Sequence, residues 1–286
     1  MKHTYLIKNL KHQLTKFYDT SENYFISASE SNKIPSEERK RILDWISYND
    51  KVLDVACGTA ENAELIIQKA IYYGIDIPDI ALRIAQQKYS SFKKVFFTKG
   101  DAENLPYPDN FFDVVLSTYS LEHFTSPKKV IDEMIRVCKL NGKIILISPA
   151  WDNPLWVPPS LSKKLNNFFR RIIFILQQII KLFLLSFKLK KYFFDIVKNP
   201  AILEDNYQMD NDAVYIVRVV EIINYFQEKN CEILYIRKNA TDAFKLKFPF
   251  LKNLKHNCLT FFAYVLNIFY KHLNTGLFIV VEKKIR

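Results

Sequence analysis

The chain has 286 residues, a formal net charge of +11, 49% hydrophobic residues and only five glycines. Its length suits one large domain or a domain with inserts, and its hydrophobic share is normal for a globular core. The charge excess suggests an anionic partner (nucleic acid, anionic lipid or an anionic substrate), or only the composition of an AT-rich genome. Cys57, Cys138, Cys231 and Cys258 show no C-x-x-C pair and no His at zinc spacing. They read as small buried hydrophobes in a reducing compartment, and no metal site is expected. The first residues lead into no sustained apolar run, so no signal peptide is expected and a cytoplasmic protein is the default.

Residues 1–35 are polar and aromatic and predict one or two short helices. Tyr18 is a candidate ligand contact, or a ring packed on the domain surface. Ser36 can cap a helix running to about Ser47, with Glu37 and Glu38 in its first turn. Lys51–Val55 reads as a short apolar strand that breaks at small residues, Ala56 to Ala60, and becomes helical through Glu61–Ile67. Strand, tight turn and helix make a nucleotide site in doubly wound folds. The turn admits the ligand to the backbone, and the helix start offers free N–H groups. Such a unit needs an acid about 20 residues on, at the end of the next strand, for ribose hydroxyls. Asp76, closing the strand Ala70–Asp76 before Ile77, stands there.

A dinucleotide needs three glycines in that turn, and only Gly58 is present. Asp54, at the strand end, would repel a phosphate but not a cationic amino-acid ligand. S-adenosylmethionine carries an ammonium, a sulfonium and a ribose, and no phosphate.

Further along, Pro78-Asp79 opens a helix with Ile80, Ile84 and Tyr89 on its inner face. Lys94–Thr98 is a third strand, ending at Gly100-Asp101-Ala102. Val114–Ser117 is a fourth, with Ser117 at its carboxyl end, where ligands bind in open α/β sheets. A helix over 126–138, with Val130, Met134 and Val137 as core, leads to a fifth strand, Gly142–Ser148. Five alternating units imply a parallel sheet with right-handed crossovers. A helix through Val219–Phe226, a strand at Cys231–Ile236 and a last strand at Thr275–Glu282 complete the fold.

Asp54-Val55-Ala56-Cys57-Gly58-Thr59-Ala60 follows the pattern acid-x-small-x-Gly-x-small. It resembles the first motif of the class I S-adenosylmethionine-dependent methyltransferases, in particular the UbiE-like small-molecule enzymes. Ala56 and Ala60 stand where glycine is commoner, and alanine does not readily take a positive φ. Gly100-Asp101-Ala102 with Leu105-Pro106, and Asp113 after Phe112, match the family again. The resemblance covers residues 40–150 closely and the remainder weakly.

It implies a Rossmann-like, doubly wound, mostly parallel seven-stranded sheet with helical inserts, the last two strands antiparallel at one edge. It also implies S-adenosylmethionine as cofactor, with Asp54, Ala56, Cys57, Gly58, Asp76, Ile77, Asp101, Ala102 and Ser117 as binding residues. Asp101 would accept from the adenine amine, and Ala102 leaves room for a flat ring. Asp113 lies at the opposite end of its strand and reads as structural.

The expected organisation is a core with N-terminal helices over 1–150, an insert over 151–207, and a return of the core over 208–286. The return contains a second helical insert at about 242–273. The stretch from Pro154 to Phe194 contains no acid. At 100° per residue, Arg170, Arg171, Gln177, Gln178, Lys181 and Lys188 share one narrow face. Phe169, Ile172, Ile173, Leu176, Ile180, Phe183 and Phe187 are among those covering the other side. Such a basic amphipathic helix suits an anionic membrane surface, or packing against its own domain. Phe244–Leu273 repeats this character.

The expected activity is methyl transfer, by in-line displacement, to a small-molecule, lipid or lipid-linked glycan acceptor. It needs alignment and exclusion of water more than a base. His123 is the candidate base, and Glu122-His123 is also a family pair that is often structural. A non-catalytic membrane-associated scaffold is the alternative. Ser117-Thr118-Tyr119-Ser120 stands where a base methyltransferase would carry Asn/Asp-Pro-Pro-aromatic, so no nucleic-acid partner is expected.

Overall fold

Alternation of side chains about β1 (Lys51–Val55) fixes the two faces of the sheet. Leu53 and Val55 join the core on one face, Val52 the core on the other. The computed structural model describes residues 2–31, 36–154, 156–161, 164–203, 211–237 and 276–284. β2 (Ile71–Asp76), β3 (Val95–Lys99), β4 (Phe112–Thr118), β5 (Cys138–Pro149), β6 (Cys231–Ile236) and β7 (Gly276–Lys283) complete a seven-stranded sheet. Its order is β3-β2-β1-β4-β5-β7-β6. Pairing is parallel from β3 to β5, and β7 runs antiparallel to both of its neighbours. Strand order reverses between β1 and β4, and the carboxyl ends of strands at such a switch point form a crevice.

The helices are α1 (Lys2–Thr20), α2 (Glu22–Ser31), α3 (Glu37–Lys40), α4 (Ala63–Ile66), α5 (Asp79–Lys88), α6 (Pro127–Val137), α7 (Phe168–Ser186) and α8 (Val219–Glu228). Val130, Ile131, Met134 and Val137 bury one stripe of α6 against the sheet. Ser36 caps α3 by accepting from Arg39 N at 3.2 Å. The helix expected to reach Ser47 instead tightens into a 3-10 turn over Arg41–Trp45. In α5 the buried residues are Ala81, Leu82 and Ala85, with Tyr89 just beyond its end. Ile80 and Ile84 are only half-buried, so the inner face is turned from the one expected.

The helix expected over Glu61–Ile67 is a single turn, α4. Ala60 at φ 64° holds the chain in turns before it, and Asn62 spends its side chain on neighbours rather than on a cap. A four-residue helix has little dipole to offer a ligand.

In the first insert α7 packs on α8, Leu182 and Leu185 are buried, and its polar stripe is partly turned inward. Gln178 is buried, and its Oε1 accepts from Arg218 Nη2 at 2.6 Å. Lys181 pairs with Asp195 at 2.6 Å. The apolar side is what faces out: Phe169 is 73% exposed, Leu176 54% and Ile180 57%. Over the second half of the helix part of the polar stripe therefore packs against the domain, where a buried Arg218 recruits Gln178 and Asp195. The second insert, expected at 242–273, lies outside the described residues.

Candidate functional site

The crevice begins where β1 ends. Ala56 (φ 57°), Gly58 (φ 56°) and Ala60 (φ 64°) all take left-handed backbone. Two alanines therefore adopt the conformation that glycine supplies at no steric cost, at about 1–2 kcal/mol each. A Cβ added at Gly58 would meet nothing within 4 Å, so the turn opens onto free space. Its geometry is held from β2: Gly58 N donates to Asp76 Oδ2 at 2.7 Å, and Ile77 N donates to Asp76 Oδ1 at 2.7 Å. Burial pushes the Asp76 carboxyl up to about 6, against the lowering effect of those two N–H groups. Ser120 Oγ donates to Ala56 O at 3.3 Å and so ties the end of β4 to the turn.

Ala56, Cys57, Gly58, Asp76, Ile77, Asp101, Ala102 and His123 line one cleft, with roughly 1260 Å³ of empty space open to solvent on one side. Asp54 and Ser117 do not line it. The strand pleat turns both side chains away from the cleft surface. Asp54 is buried under the turn, where its Oδ2 accepts from Tyr72 OH at 2.8 Å and Asn62 Nδ2 at 3.0 Å. Its Oδ1 has no hydrogen-bond partner among the described residues, and burial lifts its carboxyl to about 7. Ser117 is fully buried within β4, and the next residue, Thr118, reaches the cleft in its place.

Several lining residues carried no sequence signal. Arg39 is buried at 3% exposure, and its Nε donates to Asn62 Oδ1 at 3.0 Å. It places a cation at the rim of the glycine turn, the natural partner of a ligand carboxylate. Asn62 also donates to Thr118 Oγ1 at 2.8 Å, joining the turn to β4. From α1, Lys11 reaches Asp101 at 2.6 Å and Glu103 at 3.0 Å. The second oxygen of Asp101 accepts from Glu103 N at 3.0 Å. Only Asp101 of this group was legible, because a lone Lys or Arg on an amphipathic helix looks like any solvated face.

His123 ends the 3-10 turn Leu121–His123 after β4. Its Nδ1 is 3.3 Å from Asp212 Oδ2, and its Nε2 is 3.6 Å from Glu122 Oε1. Tyr18, Tyr24, Phe25 and Phe124 line the cleft beside it and give that end an aromatic wall. Asp113 sits at the far end of β4, accepting from Lys51 N at 2.9 Å and pairing with Lys139 at 2.6 Å, as a structural residue would.

Residues 53–146 match the family described as "Methyltransferase domain". The chain is similar to a demethylmenaquinone methyltransferase of Thermotoga maritima, 32% identical over 146 residues, covering 49% of this chain and 62% of the relative. A second such relative, from Bacillus mycoides, is 34% identical over 120 residues, 40% of this chain and 50% of the relative. The chain thus spans less than two thirds of the length of these relatives. Among solved structures, a SAM-dependent methyltransferase from Methanosarcina mazei superposes with TM-score 0.51 at 18% identity, over 86% of this chain and 97% of that one. The cyclase SpnF superposes with TM-score 0.58 at 15% identity, over 96% of each chain. Those likenesses establish the Rossmann-like α/β fold, and the second is a reminder that fold alone does not select a reaction.

Proposed function

We infer that this chain, which carries a class I S-adenosylmethionine-dependent methyltransferase domain, moves a methyl group from that cofactor to a small-molecule or lipid-linked acceptor. The observation that carries the reading is the convergence on one cleft of an open glycine turn, an acid at the end of β2 and a buried cation, Arg39. Those groups fit the cofactor: Asp76 the ribose hydroxyls, Arg39 the methionine carboxylate, Asp101 the adenine amine beside the small Ala102. The bound cofactor supplies an electrophilic methyl and leaves as a neutral sulfide, so the protein's work is alignment and exclusion of water. In this reading the aromatic wall dries the acceptor end, and His123, which lines the cleft, takes the acceptor's proton. The scaffold reading has less support, since a non-catalytic chain has no need of these groups together.

The names of the two bacterial relatives favour an acceptor of the demethylmenaquinone kind. The outward apolar row of α7, with Arg170 and Arg171 exposed at its start, favours docking on an anionic membrane where such an acceptor would reside. Among the described residues no helix is long and apolar enough to cross a membrane.

Calorimetric titration with S-adenosylhomocysteine tests the site. Asp76→Ala loses charge-assisted hydrogen bonds worth about 1.5–3 kcal/mol, a drop of one to two decades in affinity. Unchanged affinity in a folded variant removes Asp76 from the site and the reading with it.

A further inference from the structure

His123 does not stand alone at the wall of the cleft. Asp212 lies behind it, 1% exposed, with Oδ2 3.3 Å from His123 Nδ1. The same Oδ2 accepts from Tyr18 OH at 2.8 Å, and Tyr18 comes from the far end of α1. The edge of the Tyr18 ring meets the imidazole, with centroids 6.5 Å apart. Three segments remote in sequence therefore meet at one carboxylate.

The backbone fixes this meeting independently. Val214 N and Tyr215 N both donate to Glu122 O at 2.8 Å, which pins the segment after Asp212 to the 3-10 turn that carries His123. Leu10 and Leu14 of α1 pack with Ile202 and Val214, which docks α1 on the same segment. Glu122, the other acid facing the imidazole, has its Oε2 accepting from Ser148 Oγ at 2.9 Å at the end of β5. Burial, and next the neighbouring Asp212, hold the Tyr18 phenol protonated, so it stays a donor.

We propose that Asp212 is the positioning residue of His123, with Tyr18 setting how much of the carboxylate the imidazole receives. A carboxylate 3.3 Å from Nδ1 favours, by its charge, a proton on that nitrogen, leaving the lone pair on Nε2. When Nε2 takes a proton, the new charge is met by the Asp212 carboxylate across that 3.3 Å. Tyr18 is then a moderator: its bond to Oδ2 withdraws part of the carboxylate's basicity. The proposal rests on His123 acting as base, but its test needs neither cofactor nor acceptor.

The experiment is an NMR pH titration of the ligand-free full chain with labelled histidine. His123 is assigned as the resonance, among the five histidines, that is lost in His123→Gln. In wild type the neutral ring is expected as the Nδ1–H tautomer, read from its nitrogen shifts. Asp212→Asn should lower the His123 midpoint by about 1–3 pH units, the usual effect of removing an opposite charge at this range. Tyr18→Phe should move it the opposite way, upward, by freeing Oδ2. Packing without charge coupling gives no such pair of opposite shifts. The proposal falls if the neutral ring is the Nε2–H tautomer, or if neither variant moves the midpoint. If Asp212→Asn fails to fold, Tyr18→Phe decides: an unmoved or lowered midpoint overturns it. Methyl transfer that survives His123→Gln, with these shifts intact, would indict the function assigned to His123 and not its pairing with Asp212.

Discussion

At the scale of single residues, buried acids and backbone strain both weigh on the stability of the turn. Asp54 is buried with one unsatisfied oxygen, and its carboxyl is raised to about 7. A raised acid binds its proton more tightly folded than unfolded, so its contribution is fully present below about pH 4 and is lost as pH climbs toward 7. Asp76, raised to about 6, acts in the same sense over a narrower window. Urea denaturation of wild type should therefore show lower stability at pH 8 than at pH 5 from this source. Asp54→Asn keeps an acceptor for Tyr72 and removes the buried charge, so it should gain about 2–4 kcal/mol at pH 8 and flatten the decline. A pH dependence identical to wild type would mean Asp54 is not the group responsible. Backbone strain offers a second check. Ala56→Gly relieves a left-handed alanine that is only partly buried, so it should stabilise by about 1 kcal/mol. Ala60 is fully buried, and losing its methyl costs about 0.8 kcal/mol, which leaves Ala60→Gly near neutral.

At the scale of elements, the core strands were legible because each closes on a local signal: a run of apolar residues, then a small residue or an acid at the carboxyl end. The order of the sheet followed from the alternation of strands and helices. What was not legible depended on partners distant in sequence. Spacing placed Gln178 and Lys181 on a solvent stripe. Arg218, fully buried, draws Gln178 and Asp195 to 2.6 Å through Nη2, and Lys181 follows Asp195. Asp212 was likewise invisible beside His123, since nothing local marks an aspartate at the start of the returning core as the partner of a histidine 89 positions earlier. The Arg218 network gives its own expectation. Arg218→Met leaves Glu221, itself buried, and Asp195 with one cation fewer, so unfolding free energy should fall by about 3–5 kcal/mol. A loss under 1 kcal/mol in denaturant titration would show that this cluster does not hold α7 in place.

At the scale of the molecule, the net charge of +11 and the face of α7 bear on where the protein works. Charge alone was ambiguous, because a basic composition needs no partner to explain it. The orientation of α7 sharpens the question: Gln178, Leu182 and Leu185 are buried against the domain while Ile173, Leu176 and Ile180 face outward. Charge-neutralising changes along the stripe are consequently the wrong probe, since Lys181→Gln would break the pair with Asp195. Ile173, Leu176 and Ile180 are the right ones, being exposed and outside the anchoring contacts. The wild-type chain should sediment with anionic vesicles and much less with neutral ones. Added salt should weaken binding as the ~10 Å Debye length shortens, though not abolish it while the apolar row still inserts. The triple change Ile173→Ser, Leu176→Ser, Ile180→Ser should leave the protein in the supernatant, with urea stability and S-adenosylhomocysteine binding unchanged. Leu182→Ser, on the packed side, should instead destabilise by about 2–5 kcal/mol. If the triple variant loses stability like Leu182→Ser, the apolar row is covered by the chain itself, and membrane docking through α7 is wrong.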